Sequence, residues 1–282
     1  MKISAGQIVA ITGAGSGIGR ALALHVATRG CDVAAADIDA KQLAETAEMV
    51  KAEGVNCSTH IVDVANREAV EQYAADVVNE HGGVNMIINN AGVTLIDSAE
   101  KLLYSDFEWI MNINFWGVVY GSKAFLPHLR RADAAHIVNV SSLFGLMSLP
   151  LQSAYNSSKF AVRGFTEALK MELAGSTIGV SCVHPGGIKT SIATNSRIGE
   201  EALSVSKEQL LADFDKAAIT TAEQAAAAII RGVEKNKRRI LVGRDAKVMD
   251  WVVRHFPNTY ERILRLEKVV RLRARERSAS RS

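Results

Sequence analysis

Cysteine is scarce in this sequence, with three residues, Cys31, Cys57 and Cys182, in a chain of 282. They lie far apart and form neither an even disulfide set nor a zinc-binding spacing, which excludes a disulfide scaffold. Such sparse cysteine favours a reducing cytoplasm as the location. The seven histidines also lack ligand spacing, so we expect no bound metal. His184, which precedes Pro185, is expected to pack or to cap the backbone.

Hydrophobic runs typical of membrane helices are also missing. The longest stretch without a charged residue is 134–158, but Asn139, Pro150 and several serines interrupt it. Although a membrane helix needs only roughly 18 apolar residues, this composition indicates a buried strand followed by a loop. The first strand pattern begins about eight residues from Met1, which we interpret as leaving no room for a signal peptide.

Acidic residues are few near the C-terminus. The chain has a net charge of +3, but the segment from Lys235 onward holds 15 of the 33 Lys and Arg residues and five of the 30 Asp and Glu residues. Within it, Ile263, Leu266 and Val270 recur at helical spacing, which predicts a basic amphipathic helix over 246–275. Such a helix packs on the substrate pocket or a subunit interface, or lies on an anionic membrane surface. We favour packing against protein. Nucleic-acid binding is not expected, because a reading motif is lacking.

Strand-like and helix-like segments alternate along the chain. This alternation predicts an α/β fold, a single doubly wound parallel Rossmann sheet of seven strands with helices on both faces. We expect one domain over 1–245, and a basic helical extension over 246–282 whose last residues are disordered. The polar stretch 191–220 is a candidate lid. The predicted strands are 7–12, 31–36, 58–62, 84–89, 135–140, 177–183 and 239–242, and the predicted helices are 17–30, 40–53, 66–81, 104–132, 155–174 and 221–235.

A glycine-rich turn follows the first strand. Its residues are Thr12-Gly13-Ala14-Gly15-Ser16-Gly17-Ile18-Gly19, and a helical pattern opens directly after them. Glycine allows positive φ and a close backbone approach, while the free N–H groups at a helix N-terminus attract an anion. Strand, turn and helix together predict a pyrophosphate-binding site for a dinucleotide.

Asp37 follows the second predicted strand, 18 residues after Gly19. This spacing is close to that at which a carboxylate binds the adenosine ribose hydroxyls. The carboxylate would repel a 2′-phosphate, and no adjoining Lys or Arg is present to accept one. NAD is therefore predicted as the cofactor, with NADP disfavoured. The alternative is a solvated loop aspartate.

Tyr155 and Lys159 lie four residues apart on a predicted helix and so share one face. An ammonium group near a phenol lowers the phenol pKa from its usual value of about 10, which lets the pair move a proton to or from an oxygen. Ser142 ends the preceding strand, at the sheet edge where ligands bind in such folds, and its hydroxyl can hold a substrate oxygen. Each of these features alone is common in purely structural roles.

Taken together, the motifs resemble those of the short-chain dehydrogenase/reductase family. The resemblance implies an oxidoreductase that interconverts an alcohol and a ketone by hydride transfer and assembles as a homotetramer or dimer. The motifs are Thr12-Gly13-x-x-x-Gly17-x-Gly19, Asn89-Asn90-Ala91-Gly92, Asn114, Ser142, Tyr155-x-x-x-Lys159 and Pro185-Gly186, in this order within residues 5–245.

The resemblance also implies roles for individual residues. Tyr155 would be the general acid/base, Lys159 would bind the nicotinamide ribose and lower the Tyr155 pKa, and Ser142 would hold the substrate oxygen. Asn114 would anchor a water in a proton relay, with Asn112 as a competitor that matches the motif less well. Asp63 and Val64 would contact adenine. The implied cofactor-binding set is Gly13, Ser16, Gly17, Ile18, Gly19, Asp37, Asp63, Val64, Asn90, Ala91, Gly92, Tyr155, Lys159, Gly186, Ile188 and Thr190.

The side chains expected around the substrate are almost all apolar. No arginine is placed to clamp a carboxylate or phosphate, which favours a hydrophobic secondary alcohol or ketone. Two other hypotheses remain: a nucleotide-binding sensor or scaffold, which would not need all four catalytic residues, and a peripheral membrane reductase acting through the basic tail. The expected lining, part of which could simply pack the core, is Val93, Leu95, Leu143, Phe144, Leu146, Met147, Leu149 and Leu151.

Overall fold

A seven-stranded sheet, parallel throughout, runs through the centre of the protein. The computed structural model describes residues 1–190, 196–199 and 218–263. The strands are β1 Ile8–Thr12, β2 Asp32–Asp37, β3 Cys57–Ile61, β4 Met86–Asn89, β5 Leu95–Ile96, β6 Ala135–Val140, β7 Ile178–Pro185, β8 Arg197–Ile198 and β9 Arg239–Val242. The sheet order is β3-β2-β1-β4-β6-β7-β9, while β5 and β8 pair separately. The predicted fold class is thus confirmed, and the direction of the strand order reverses between β1 and β4, the middle strand of the seven.

Helices cover both faces of this sheet because successive strand residues point to opposite sides. Val9 and Ile11 of β1 pack on one face with Leu22 and Ile229, and Ala10 faces the opposite core with Phe125. The helices are α1 Gly17–Ala27, α2 Ala40–Lys51, α3 Arg67–His81, α4 Tyr104–Met111, α5 Gly117–Leu129, α6 Ser153–Glu172, α7 Ala222–Glu234 and α8 Arg244–His255. Helices α1, α2 and α7 line the first face, and α3, α5 and α6 the second.

The predicted helix over 104–132 is not continuous α-helix. Helix α4 ends at Met111, and a π-helical turn over Asn112–Trp116 separates it from α5. Such turns insert one residue into a helix and frequently mark functional sites. The helical periodicity of the sequence continues through the turn, which is why the sequence predicts one helix.

The predicted single helix over 246–275 is wrong between 256 and 259. Helix α8 begins at Arg244 and ends at His255, and Phe256 has left the helical region, with φ −128° and ψ 55°. Pro257 follows, and a proline disfavours helical geometry in the residue before it. Helix resumes at 260–263, and residues 264–282 lie outside the described part of the chain.

Two short strands that the sequence pattern missed lie beside the sheet edge. Leu95 pairs with Arg197 and Ile96 with Ile198, in parallel. Two-residue strands are too short to leave a periodic signal. Of the predicted lid, only 196–199 and 218–220 are described, and the rest of 191–220 lies outside the described residues.

In the described ranges, the longest helix, α6, is too polar to cross a membrane, and the other helices are too short or too polar to do so.

Candidate active site

The predicted site residues meet at the carboxyl ends of the strands. The glycine-rich turn follows β1, Asp37 ends β2, Asp63 follows β3, Asn90 follows β4, Ser142 follows β6 and Gly186 follows β7. In doubly wound sheets this edge is where ligands bind. The folding of the chain therefore brings together residues up to 173 positions apart, from Gly13 to Gly186.

The turn between β1 and α1 depends on glycine. Gly13 and Gly17 have positive φ angles, +66° and +52°, which residues other than glycine rarely adopt. A Cβ on Gly19 would overlap the carbonyl oxygen of Gly13. Ser16 precedes α1 but its side chain makes no capping hydrogen bond to the described residues. The first N–H groups of α1 therefore remain available to an anion.

Asn90 and Ala91 fasten this turn to the end of β4. The Thr12 hydroxyl accepts hydrogen bonds from the backbone N–H groups of Asn90 and Ala91, both at 3.1 Å. The Asn90 amide donates in return to the carbonyl oxygens of Thr12 at 3.0 Å and Gly13 at 3.2 Å. These bonds hold the glycine-rich turn in place.

Asp37 lies directly against the glycine-rich turn. Its carboxylate accepts hydrogen bonds from the N–H groups of Gly15 at 2.8 Å and Asp39 at 3.0 Å. The neighbouring Asp63 accepts from the N–H of Ala65 at 2.9 Å. Both carboxylates thus stand at the carboxyl edge, on the side of the β1 turn away from Tyr155.

Tyr155 is buried near the start of α6. Burial raises the pKa of its phenol, and an interaction with the Ser142 side chain acts in the opposite direction. The Phe144 ring packs edge-on against the Tyr155 ring, with centroids 6.0 Å apart. The predicted partners Tyr155 and Ser142 are therefore neighbours in the fold.

Lys159 lies one turn further along α6 and is 3% exposed. Burial lowers the pKa of its ammonium group to about 8. Its Nζ donates to the carbonyl oxygen of Val140 at 3.2 Å and stands 5.7 Å from the Tyr155 ring centroid. An ammonium group has three N–H donors, and within the described ranges the other two have no acceptor. A pair of ribose hydroxyls is a chemically suitable partner, so the residues present fit a dinucleotide.

Asn114 occupies the centre of the π-helical turn and is completely buried. Its side-chain oxygen accepts from the N–H of Val93 at 2.8 Å, and its amide donates to the carbonyl of Val93 at 2.9 Å and to the Ser158 hydroxyl at 3.1 Å. A Cβ built on Gly92 would lie 3.1 Å from the Asn114 oxygen and 3.2 Å from Lys159 Nζ. Asn114, Gly92 and Lys159 therefore lie next to one another. The Asn114 side chain forms its hydrogen bonds with groups of the protein.

Ser141 and His184 fix Ser142 from two sides. The Ser141 hydroxyl donates to the carbonyl oxygen of Lys159 at 2.8 Å, which ties β6 to α6. The His184 ring donates from Nδ1 to the carbonyl oxygen of Ser142, 2.9 Å away. Burial lowers the pKa of His184 to about 4, which keeps the ring neutral. The expected backbone-capping role of His184 agrees with this contact, but its partner could not be named from sequence.

The predicted nicotinamide-side residues follow β7. Thr190 approaches the glycine-rich turn, since a Cβ on Gly17 would lie 3.1 Å from Thr190 Cγ2. Ile188 is buried and forms a β-bridge with Thr220. Asp245 of α8, which the sequence analysis missed, accepts a hydrogen bond from the N–H of Gly187 at 2.6 Å. The residues are 58 positions apart, and no local motif links them.

The expected apolar lining divides into two groups. Leu95, Leu146 and Met147 are buried and pack in the protein interior. The other five are partly exposed, at the side of the site where Ser142 and Tyr155 lie, and they are Val93, Leu143, Phe144, Leu149 and Leu151. Leu151 has a positive φ of 63°, and its carbonyl oxygen accepts from the N–H of Asp97 at 3.0 Å.

Comparison with known proteins identifies close relatives of this arrangement. A family model described as short chain dehydrogenase matches residues 7–201. SadH of Mycobacterium tuberculosis (strain H37Rv), named as an oxidoreductase, is 44% identical over 265 residues, 92% of this chain and 94% of SadH. Estradiol 17-beta-dehydrogenase 11 of Macaca fascicularis is 38% identical over 197 residues, 69% of this chain and 66% of the relative.

A crystal structure of a short chain dehydrogenase/reductase from Burkholderia phymatum in complex with NAD superposes with a TM-score of 0.84 at 29% identity, covering 90% of this chain and 95% of that one.

Proposed function

Because the chain belongs to the short-chain dehydrogenase/reductase family of oxidoreductases, we propose that it interconverts a hydrophobic secondary alcohol and its ketone with NAD as the cofactor. The observation that carries the proposal is the meeting of Tyr155, Ser142 and Lys159 beside Gly92. A purely nucleotide-binding scaffold needs no buried phenol in contact with a serine hydroxyl and a buried ammonium group.

The reaction needs a hydride and a proton. The nicotinamide ring, when bound, supplies or accepts the hydride. Ser142 donates a hydrogen bond to the substrate oxygen and orients it toward Tyr155. In ketone reduction the Tyr155 hydroxyl gives its proton to that oxygen, and in alcohol oxidation the phenolate takes the proton back.

Lys159 makes this proton transfer feasible near neutral pH. Burial alone raises the pKa of Tyr155, which keeps the phenol protonated and suits it to be an acid. A positive charge beside the ring offsets that effect and stabilises the phenolate. With a pKa of about 8, Lys159 is mostly protonated at pH 7 and provides this charge. Its two unused N–H groups would hold the nicotinamide ribose, and Asn114 and Gly92 shape the space beside it.

The choice of NAD rests on Asp37. Its carboxylate, bonded to Gly15, would accept hydrogen bonds from the adenosine ribose hydroxyls and repel a 2′-phosphate. The nearby guanidinium of Arg20 is engaged by the carbonyl oxygen of Gly15 at 2.9 Å, that of Gln42 at 3.0 Å and the Glu45 carboxylate at 3.1 Å. Its Nε and Nη2 donors are therefore already bound to protein acceptors, which disfavours their use for a phosphate.

The substrate proposal rests on the partly exposed lining. Val93 and Phe144 are partly exposed and pack against the cluster that contains Tyr155, and the partly exposed Leu143 directly follows Ser142. One relative is named as a dehydrogenase of estradiol, a hydrophobic molecule with a secondary hydroxyl. Both points support a substrate that carries one reacting oxygen on a largely apolar body.

We propose that the protein assembles into a homotetramer through contacts made by α5 and α6. Trp116, next to the start of α5, is 43% exposed and stacks on Tyr120 with ring centroids 5.7 Å apart. Phe160 and Met171 of α6 are also exposed. Apolar side chains on two adjacent helices suit a two-fold contact with a second copy of the chain.

A second candidate function, contact with an anionic lipid surface, is favoured by the outer face of α8. Val248 and Trp251 are 59% and 55% exposed there, among exposed cations at 244, 247 and 254. Asp250 pairs with Arg239 at 2.8 Å and with Arg254 at 3.0 Å. An exposed tryptophan beside the cations at 244 and 247 suits an interfacial helix. The Tyr260 hydroxyl also accepts from the N–H of Ser148 at 3.4 Å, next to the proposed substrate side.

A matched pair of substrates tests the apolar pocket. We expect a secondary alcohol with a bulky alkyl or ring body to be oxidised with NAD, and its analogue bearing a carboxylate on that body to react at least about tenfold less efficiently in kcat/KM, because a buried unpaired charge is costly. Turnover is read from the absorbance of reduced nicotinamide. Equal efficiency for both compounds would contradict the proposed substrate class.

Replacing Tyr155 by Phe tests the proton-transfer role. The ring and its contact with Phe144 remain, and only the hydroxyl is lost. We expect kcat to fall by roughly 10²–10⁴-fold, the usual contribution of a general acid–base group, while the NADH dissociation constant changes little. Tyr73→Phe is the control, since it removes a buried hydroxyl that bonds to Ala34 far from the site. A near-normal kcat in Tyr155→Phe would refute the mechanism.

The double variant Asp37→Ala/Ile38→Arg tests the cofactor choice. It removes the repelling carboxylate and adds a guanidinium at a position that is 68% exposed, so the ratio of kcat/KM for NAD to that for NADP should fall by more than about tenfold. Glu48→Gln removes an exposed carboxylate from the same helix, α2, where it pairs with Lys51 and not with Arg20, and should leave the ratio unchanged. If the unmodified protein uses NADP as well as NAD, the role assigned to Asp37 is wrong.

The double variant Val248→Ser/Trp251→Ser tests the α8 face. We expect the unmodified protein to sediment with vesicles that contain phosphatidylglycerol, but not with pure phosphatidylcholine, and to be released by high salt because the attraction is partly electrostatic. The variant should lose binding and keep its activity on soluble substrates, while Met49→Ser, an exposed apolar control on α2, keeps both. Light scattering on all three proteins separates the alternative: a tetramer that the double variant dissociates would make this face a subunit interface.

A further inference from the structure

The segment 186–190 after β7 is held by residues that come much later in the chain. The N–H of Gly186 donates to the carbonyl oxygen of Val242 at 2.9 Å. The carbonyl oxygen of Gly187 accepts from Thr220 at 3.3 Å, and the N–H of Lys189 donates to the carbonyl of Thr220 at 2.9 Å. One group of this segment, the N–H of Gly187, is held by a side chain.

That side chain is Asp245, in the first turn of α8. Its Oδ2 accepts the N–H of Gly187 at 2.6 Å, a short contact typical of a charge-assisted hydrogen bond. The carboxylate also fills the space beside Gly186, where a Cβ would overlap it. Its Oδ1 is buried and has no hydrogen-bond partner in the described part of the chain.

The Gly186–Gly187 peptide needs such a restraint. Two consecutive glycines have the widest backbone freedom of any pair, and a peptide plane between them can flip by rotating its flanking dihedrals. The plane is rigid and trans, so its C=O points opposite to its N–H. As long as Asp245 holds the Gly187 N–H, the carbonyl of Gly186 is directed away from α8.

We infer that Asp245 is a positioning residue, which locks the Gly186–Gly187 peptide and thereby sets the 186–190 segment for the nicotinamide half of the cofactor. This inference rests on the proposed function, because Gly186, Ile188 and Thr190 are the residues proposed to contact that half. It makes α8, a helix that lies beyond residues 7–201 matched by the family model, part of the cofactor site.

Binding of two ligands separates positioning from general stability. NADH carries the nicotinamide half, whereas ADP-ribose lacks the ring and keeps the adenosine half, which Asp37 and the glycine-rich turn would hold. In Asp245→Ala the dissociation constant of NADH should rise about tenfold or more, and that of ADP-ribose should stay within about twofold. Both are measured by calorimetry, without turnover.

Two further variants sharpen this test. Asp245→Asn keeps an oxygen that accepts the Gly187 N–H, so it should bind NADH within about threefold of the unmodified protein. Asp250→Asn alters the same helix by weakening ion pairs to Arg239 and Arg254, without touching Gly187, and should leave both dissociation constants unchanged.

Hydrogen exchange gives a readout that needs no cofactor. The amide of Gly187 should exchange slowly in the unmodified protein, in Asp245→Asn and in Asp250→Asn, and faster in Asp245→Ala.

The outcomes that overturn the inference are distinct. Equal weakening of NADH and ADP-ribose in Asp245→Ala would indicate a folding effect, and unchanged NADH binding with unchanged exchange would show that the peptide needs no lock. If Asp245→Asn does not retain NADH binding, the charge of Asp245, and not its hydrogen bond to Gly187, supports the binding of NADH. If the unmodified protein binds ADP-ribose but not NADH, the proposed function fails, while faster Gly187 exchange in Asp245→Ala would still establish the lock itself.

Discussion

The buried ammonium group of Lys159 is the constraint around which the rest of the site is arranged. A charge that is 3% exposed is stable only where polar groups replace the water it has lost. The protein offers one carbonyl, that of Val140 at the end of β6, and leaves the other two donors of the ammonium without a partner in the described ranges. Helix α6 must then be held against β6 by other contacts, and the bond from Ser141 to the Lys159 carbonyl does this.

The same arrangement explains why the neighbouring groups are polar yet rigid. The Asn114 side chain bonds to both backbone groups of Val93 and to the Ser158 hydroxyl, which ties the segment after β4 to α6. His184 is kept neutral by burial, with a pKa of about 4, and so adds a hydrogen bond to Ser142 without adding a second buried charge. Among the described residues, the site therefore contains one buried cation, and neutral hydrogen bonds fix its surroundings.

Much of this could be predicted from the sequence, because the signals are local. The strand Ile8–Thr12, the glycines after it and the spacing of Tyr155 and Lys159 each depend on residues close together in the chain, and the seven strands of the sheet were all located. The features that were missed depend on distant or subtle causes. The π-helical turn at Asn114 interrupts no periodicity, and the contact between Asp245 and Gly187 joins separate elements. Pro257 follows the end of α8, but the apolar spacing beyond it continues the helical periodicity.

The pairing of β5 with β8 has a consequence for how this protein can vary. Residues 197–198 are fixed to 95–96, and Thr220 is fixed to Ile188, so the long connection between β7 and α7 has anchored points at 188, at 197–198 and at 220. These fixed points divide the chain between β7 and α7 at 197–198. A change of chain length on one side of 197–198 therefore need not move the pairing with β5, the bridge from Ile188 to Thr220 or the parallel sheet.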